Sequence, residues 1–131
     1  MSLVIDASSV VALLLNVSAH ETLADRLRRD GPLHAPHLID LEVLQSLRKH
    51  LHVGALTDRR ASAALDRFSE LPLLRYPHWE YRRRIWALRH NMTAYDATYV
   101  ALSEVLDAPL LTADRKLART TGHSARVELF P

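Results

Sequence analysis

Leu3-Val4-Ile5-Asp6-Ala7-Ser8-Ser9 is the stretch whose reading decides the fold. Three large apolar residues make a buried strand, and the strand runs out on a carboxylate rather than on a turn glycine. Val10-Val11-Ala12-Leu13-Leu14-Leu15 follows and is apolar too, so Asp6 is held between two segments that must both be buried. A lone buried carboxylate costs roughly several kcal/mol, and the fold must answer it with a cation or with hydrogen-bond donors.

Outward from Asp6, the same alternation continues. The spacing predicts strand Leu3 to Asp6, then a helix to Leu15 capped by Ser8 or Ser9, and a second helix opened by Ser18-x-x-Glu21 and stopped at Gly31. Leu33-His34-Ala35 reads as a strand ended by Pro36, His37 to about Leu51 as a helix, and Thr57 as the cap of a helix reaching about Glu70. Leu73-Leu74-Arg75-Tyr76 is a third strand before Pro77, and His78 to Arg89 a basic helix carrying Trp79 and Trp86. Thr93 opens an apolar helix, Pro109 to Thr112 is a strand, Asp114 to Thr121 a short helix closed by Gly122, and Arg126 to Leu129 the last strand. Strands separated throughout by helices specify an α/β, three-layer architecture: a parallel β-sheet flanked by helices on both faces. No repeat or linker divides residues 1–131, so one domain is expected.

The composition limits the chemistry. Among 131 residues there is no cysteine, which removes disulfides, thiolate metal sites and a cysteine nucleophile. The N-terminal apolar run has no basic flank and is broken by Asp6, so neither a signal peptide nor a membrane span is expected; a soluble cytoplasmic protein is. Net charge is only +2, yet basic residues cluster at Arg82-Arg83-Arg84, at Arg89, and at Arg115, Lys116 and Arg119, which suits a phosphate-rich partner.

Four of the acids stand apart from the polar surface. Asp6 ends a strand, Asp114 follows another, Asp96 lies at the start of an apolar helix, and Glu42 sits in Leu38-Ile39-Asp40-Leu41-Glu42-Val43-Leu44. The carboxyl ends of parallel strands form the rim where ligands bind, which would bring these acids together. Each also has a local alternative: Asp114 as a helix cap, Asp96 as the acid of a capping box, Asp6 as the acceptor of an Asx-type turn with Ser8 and Ser9, and Glu42 as an exposed side chain. If they converge, two unit charges about 4 Å apart repel by roughly 4 kcal/mol at an effective dielectric of 20, which a divalent cation relieves. Oxygen donors without cysteine, and eight histidines without an HExxH or HxxxH pattern, point to Mg²⁺ or Mn²⁺.

These residues resemble the PIN domain, and within it the VapC-type toxin ribonucleases of bacterial toxin–antitoxin systems. The resemblance runs through Val4-Ile5-Asp6-Ala7-Ser8, Pro36 to Val43, Leu47-Arg48, Thr93 to Leu102, and Leu110-Leu111-Thr112-Ala113-Asp114. It implies a PIN-like fold and an acidic metal site of Asp6, Glu42, Asp96 and Asp114, with Ser8 and Thr112 as hydroxyl neighbours. It further implies Mg²⁺- or Mn²⁺-dependent RNA cleavage leaving a 5′-phosphate, a homodimer, and inhibition by a VapB-like antitoxin. Helical periodicity alone favours Asp40, which shares a stripe with Val43, Leu44 and Leu47; the family's spacing from the proline selects Glu42 and leaves Asp40 as a supporting group.

Two phosphoryl-transfer folds that also begin with an acid after a strand do not match. A dehalogenase-like phosphatase resembles D-x-D, but Ser8 occupies the third position, and a receiver domain needs an acid after the third strand, where Tyr76 and Pro77 stand. A PIN fold that binds RNA or a partner without cutting is the non-enzymatic alternative.

Overall fold

Five apolar runs of the sequence become strands: β1 (Leu3–Ile5), β2 (Leu33–Pro36), β3 (Leu73–Tyr76), β4 (Leu110–Thr112) and β5 (Val127–Leu129). The structure, a computed structural model, describes residues 2–16 and 18–131. All strand pairs are parallel and the order is β3-β2-β1-β4-β5. The central strand β1 is fully buried at every residue, as a strand covered on both faces must be.

Between the strands run α1 (Ala7–Leu15), α2 (Ala19–Asp30), α3 (Leu38–His52), α4 (Asp58–Glu70), α5 (Arg82–Ala87), α6 (Ala94–Leu106) and α7 (Arg115–Ala118). Right-handed crossovers in this strand order require α1–α4 on one face and α5–α7 on the other. The packing agrees: α1 lies on α3 and α4, and α5 lies on α6. Among the described residues no helix is long and apolar enough to cross a membrane.

From β1 the chain leaves toward β2, and from β4 it leaves toward β5, so the topology reverses between two adjacent strands. A crevice opens at the carboxyl ends of the strands on such a reversal. The amide of Asp6 makes the last rung there, donating to the Leu111 carbonyl at 3.0 Å. Asp6 and the Thr112-Ala113-Asp114 turn are therefore neighbours by construction.

Local details differ from the sequence reading. Neither Ser8 nor Ser9 caps α1; Asp6 does, accepting the Ser9 amide. Ser18 has helical backbone angles and caps nothing, its hydroxyl donating instead to Asn16. The basic helix expected over His78 to Arg89 is a 3₁₀ turn at Trp79–Tyr81 followed by only six residues of α5. No residue of α5 is fully buried and only Ile85 of it packs against the core, so its apolar face is too narrow to stabilise a longer helix. Likewise α7 stops at Ala118, four residues after its Asp114 cap.

Candidate active site

Asp6 is 5% exposed at the end of β1, and three donors meet its carboxylate. Ser8 Oγ donates to Oδ1 at 2.6 Å, the Ser9 amide donates to Oδ1 at 3.0 Å, and Thr112 Oγ1 donates to Oδ2. The lone pairs of the two hydroxyls are used as well, because Ser8 Oγ accepts the Ala113 amide and Thr112 Oγ1 accepts the Asp114 amide, both at 3.0 Å. The turn after β4 is thus fastened to Asp6 through two hydroxyls. Both already donate, so this network suits an ionised Asp6. Burial nevertheless pushes its carboxyl above the ordinary value; the bonds from Ser8, Thr112 and Ser9 oppose the rise and the Asp114 charge adds to it.

Above Asp6 lies a cavity of about 200 Å³ lined by Asp6, Ala7, Ser8, Glu42, Asp96, Tyr99 and Asp114. The four acids come from four different elements. Asp6 precedes α1, Glu42 stands in the second turn of α3, Asp96 in the first turn of α6, and Asp114 caps α7 by accepting the Lys116 amide at 2.8 Å. The local alternatives considered from sequence hold at the same time: Asp6 and Asp114 are helix caps, and the Asp96 amide donates to its own cap, Thr93 Oγ1. Burial and then the charges of Asp114 and Asp6 raise the Asp96 carboxyl above its ordinary value, against the pull of Lys116. Glu42 is raised by burial first, with Asp96 and Asp6 adding, while a hydrogen bond from Tyr99 holds it down.

Each acid in the cavity therefore carries repulsion from its neighbours. Among the described residues no three acidic or histidine side chains are gathered tightly enough to make a ready-formed metal cluster. The donor set is still one for a hard cation: oxygen only, strongly negative, and ringing a space rather than meeting at a point. That suits an ion such as Mg²⁺, which keeps several of its waters when bound by carboxylates.

Tyr99 was not selected from the sequence, where it is one more apolar position on a helical stripe. It is 2% exposed, and its hydroxyl donates to Glu42 Oε1 at 2.6 Å. Burial, then the bond to Glu42, drives its phenol far above the ordinary value, so it stays a neutral donor.

Two other expectations are corrected. Asp40 does not line the cavity; its carboxylate is gripped by both ends of the Arg75 guanidinium at 2.7 Å, on the side of α3 facing β3. Arg84 is not free for RNA, because it holds both oxygens of Glu104 and pulls that carboxyl down to about 2. Arg82, Arg83, Arg89, Arg115 and Lys116 are exposed. Arg82 and Arg89 donate to the Trp79 and Trp86 carbonyls, and Arg89 lies 4.7 Å over the Trp86 ring. Lys116 stands beside the acids, lining a cleft it shares with Asp96.

Residues 3–122 match the PIN domain family. The chain is 41% identical over 130 residues to ribonuclease VapC1 of Mycobacterium tuberculosis, covering 96% of both chains. To ribonuclease VapC12 of the same organism it is 37% identical over 127 residues, covering 97% of this chain and 98% of the relative. Among solved structures, VapBC2 from Rickettsia felis, bound to a DNA fragment from its promoter, superposes with a TM-score of 0.71 over the whole of both chains. At 13% identity that likeness concerns the fold alone. Sequence and fold thus agree that this chain belongs to the PIN-domain family, among the VapC-type proteins.

Proposed function

We propose that the protein is a Mg²⁺- or Mn²⁺-dependent endoribonuclease, a hydrolase of phosphodiester bonds serving as the toxin of a VapBC-type pair in the cytoplasm. One observation carries this reading: four carboxylates on four separate elements ring one cavity at the point where the sheet topology reverses. The relatives' name, ribonuclease VapC, supplies the substrate class.

In this reading Asp6, Asp96 and Asp114 hold the ion. When bound, it would lower the pKa of a coordinated water and offset charge growing on the phosphate and leaving oxygen. Ser8 and Thr112 fix the orientation of Asp6, and Glu42 orients the attacking water and accepts its proton. Lys116, exposed beside Asp96, faces the phosphate as it approaches.

The partners follow from the same membership: an RNA substrate, a VapB-like antitoxin, and a second copy of the chain. Leu41, Trp86 and Tyr95, 69%, 68% and 60% exposed, lie around Leu38 on α3, α5 and α6, an apolar surface that such a copy would cover.

The deciding experiment is cleavage of RNA with Mg²⁺ or Mn²⁺, with and without EDTA. Wild-type protein is expected to cut only with metal, and cleavage by Asp6→Asn and Asp96→Asn at the wild-type rate would end the assignment. The alternative is a PIN domain that binds RNA or a partner without cutting. RNA binding without cleavage under every metal condition would select that reading.

A further inference from the structure

We infer that Tyr99 is the positioning residue of the site: its hydroxyl fixes which oxygen of Glu42 faces the cavity. The inference rests on the reading of Glu42 as the group that orients the attacking water. It follows from a difference between the acids. Asp6 is held by three donors, whereas Glu42, among the described residues, has one hydrogen-bond partner, the Tyr99 hydroxyl at 2.6 Å.

The direction of that bond is set by its partner. An ionised carboxylate can only accept, so the phenol gives its O–H to Glu42 Oε1. Oε1 carries that bond, and Oε2, with no partner among the described residues, is the oxygen freer to take a water. Tyr99 belongs to α6 and Glu42 to α3, helices on opposite faces of the sheet. The bond thus spans the rim above β1 and ties Glu42 to the helix that carries Asp96. The ring is buried among core residues, so the hydroxyl cannot swing away without disturbing the packing.

The test is a double-mutant cycle of wild type, Tyr99→Phe, Glu42→Ala and the double variant, in which phenylalanine keeps the ring and removes only the hydroxyl. Read by RNA cleavage with Mn²⁺, Tyr99→Phe should lower kcat by about 10- to 100-fold, the range for partners that orient a site's ligands, with KM within about twofold. In the Glu42→Ala background it should cause no further loss. Read by urea unfolding in EDTA, the drop in midpoint caused by Tyr99→Phe should shrink in that same background. An unchanged kcat, or an equal loss in both backgrounds, overturns the inference. If wild-type protein cleaves no RNA, the nuclease reading fails, and the unfolding cycle alone decides whether Tyr99 acts through Glu42.

Discussion

Replacing Asp96 with asparagine should stabilise the metal-free protein while removing its activity. A cavity of about 200 Å³ is about 7 Å across, and two unit charges at that separation repel by roughly 0.6 kcal/mol at the dielectric of water and roughly 2.4 kcal/mol at an effective 20. Asp96 is half-buried and faces both Asp114 and Asp6, so about 1–2 kcal/mol of repulsion is a fair measure of its burden. Against this stands its place in the first turn of α6, where a negative charge gains about 0.3–1 kcal/mol. Repulsion wins by about 1 kcal/mol, or about 3–5 °C in Tm for a chain of this length. No donor is stranded, because among the described residues nothing hydrogen-bonds to the Asp96 carboxylate; only its amide is engaged. Asp6→Asn is a poorer probe, since two hydroxyls and an amide already donate to that side chain.

The assay is calorimetry or urea unfolding in EDTA, repeated with Mn²⁺. Because burial and its neighbours raise the Asp96 carboxyl, protonation is favoured in the folded state. The burden is then absent at low pH and grows as pH rises through the raised value, so the advantage of Asp96→Asn should appear in that window. An ion present at a hundred times its Kd stabilises by about 2.7 kcal/mol, and this gain should be largely lost in the variant. A fall of several degrees on replacement in EDTA, or equal stabilisation of both proteins by Mn²⁺, would refute the reasoning and make Asp96 a structural cap.

Thr112→Val removes the donor to Asp6 Oδ2 and the acceptor of the Asp114 amide, so it should lower stability by roughly 1–3 kcal/mol and slow cleavage well beyond that of Thr112→Ser, which keeps the hydroxyl. Arg84→Ala should lower the unfolding midpoint by breaking the Glu104 pair, yet leave the salt dependence of RNA binding unchanged; Lys116→Ala should instead flatten that slope by about one unit, as measured by filter binding across salt concentrations. His34 is buried beside Tyr76, its Nε2 without a partner among the described residues, and burial holds its pKa below the ordinary 6.5. Its neutral form is favoured in the fold, so stability should be full above about pH 6.5 and fall as the pH drops toward the folded value. His34→Phe should flatten that decline in urea midpoints, and an unaltered pH profile would locate its cause elsewhere.

What could be read from the sequence is what polarity marks. Asp6, Asp96 and Asp114 were visible because each is a carboxylate at the border of an apolar run, and the strand order brings those borders together. Choosing between Asp40 and Glu42 was harder for a geometric reason. The buried stripe of α3 is Ile39, Val43 and Leu47, while Leu44 is 44% exposed, so the two acids flank opposite edges of the stripe. One edge meets Arg75 of β3 and the other meets the rim, and periodicity cannot tell the two edges apart. Tyr99 was invisible for a related reason: its ring satisfies the apolar pattern of α6, and only a partner on the opposite layer shows what its hydroxyl does.

The capping geometry also explains how such a site can exist in a folded chain before any cation arrives. Capping and convergence look like competing explanations when each acid is taken singly, yet both describe the same atoms. Asp6 and Asp114 each accept a free amide in the first turn of α1 and α7, from Ser9 and Lys116, and Asp96 sits in the first turn of α6. The positive ends of these helices therefore face one cavity. Each offsets a fraction of a kcal/mol up to about 1 kcal/mol of like-charge repulsion, least for the four-residue α7. Glu42, a turn further into α3, lacks that support and is steadied by Tyr99 instead. These supports keep the carboxylates in place without neutralising them, since burial and mutual repulsion still raise Asp6, Glu42 and Asp96 above their ordinary values. The remaining negative potential is what the proposed cation would answer.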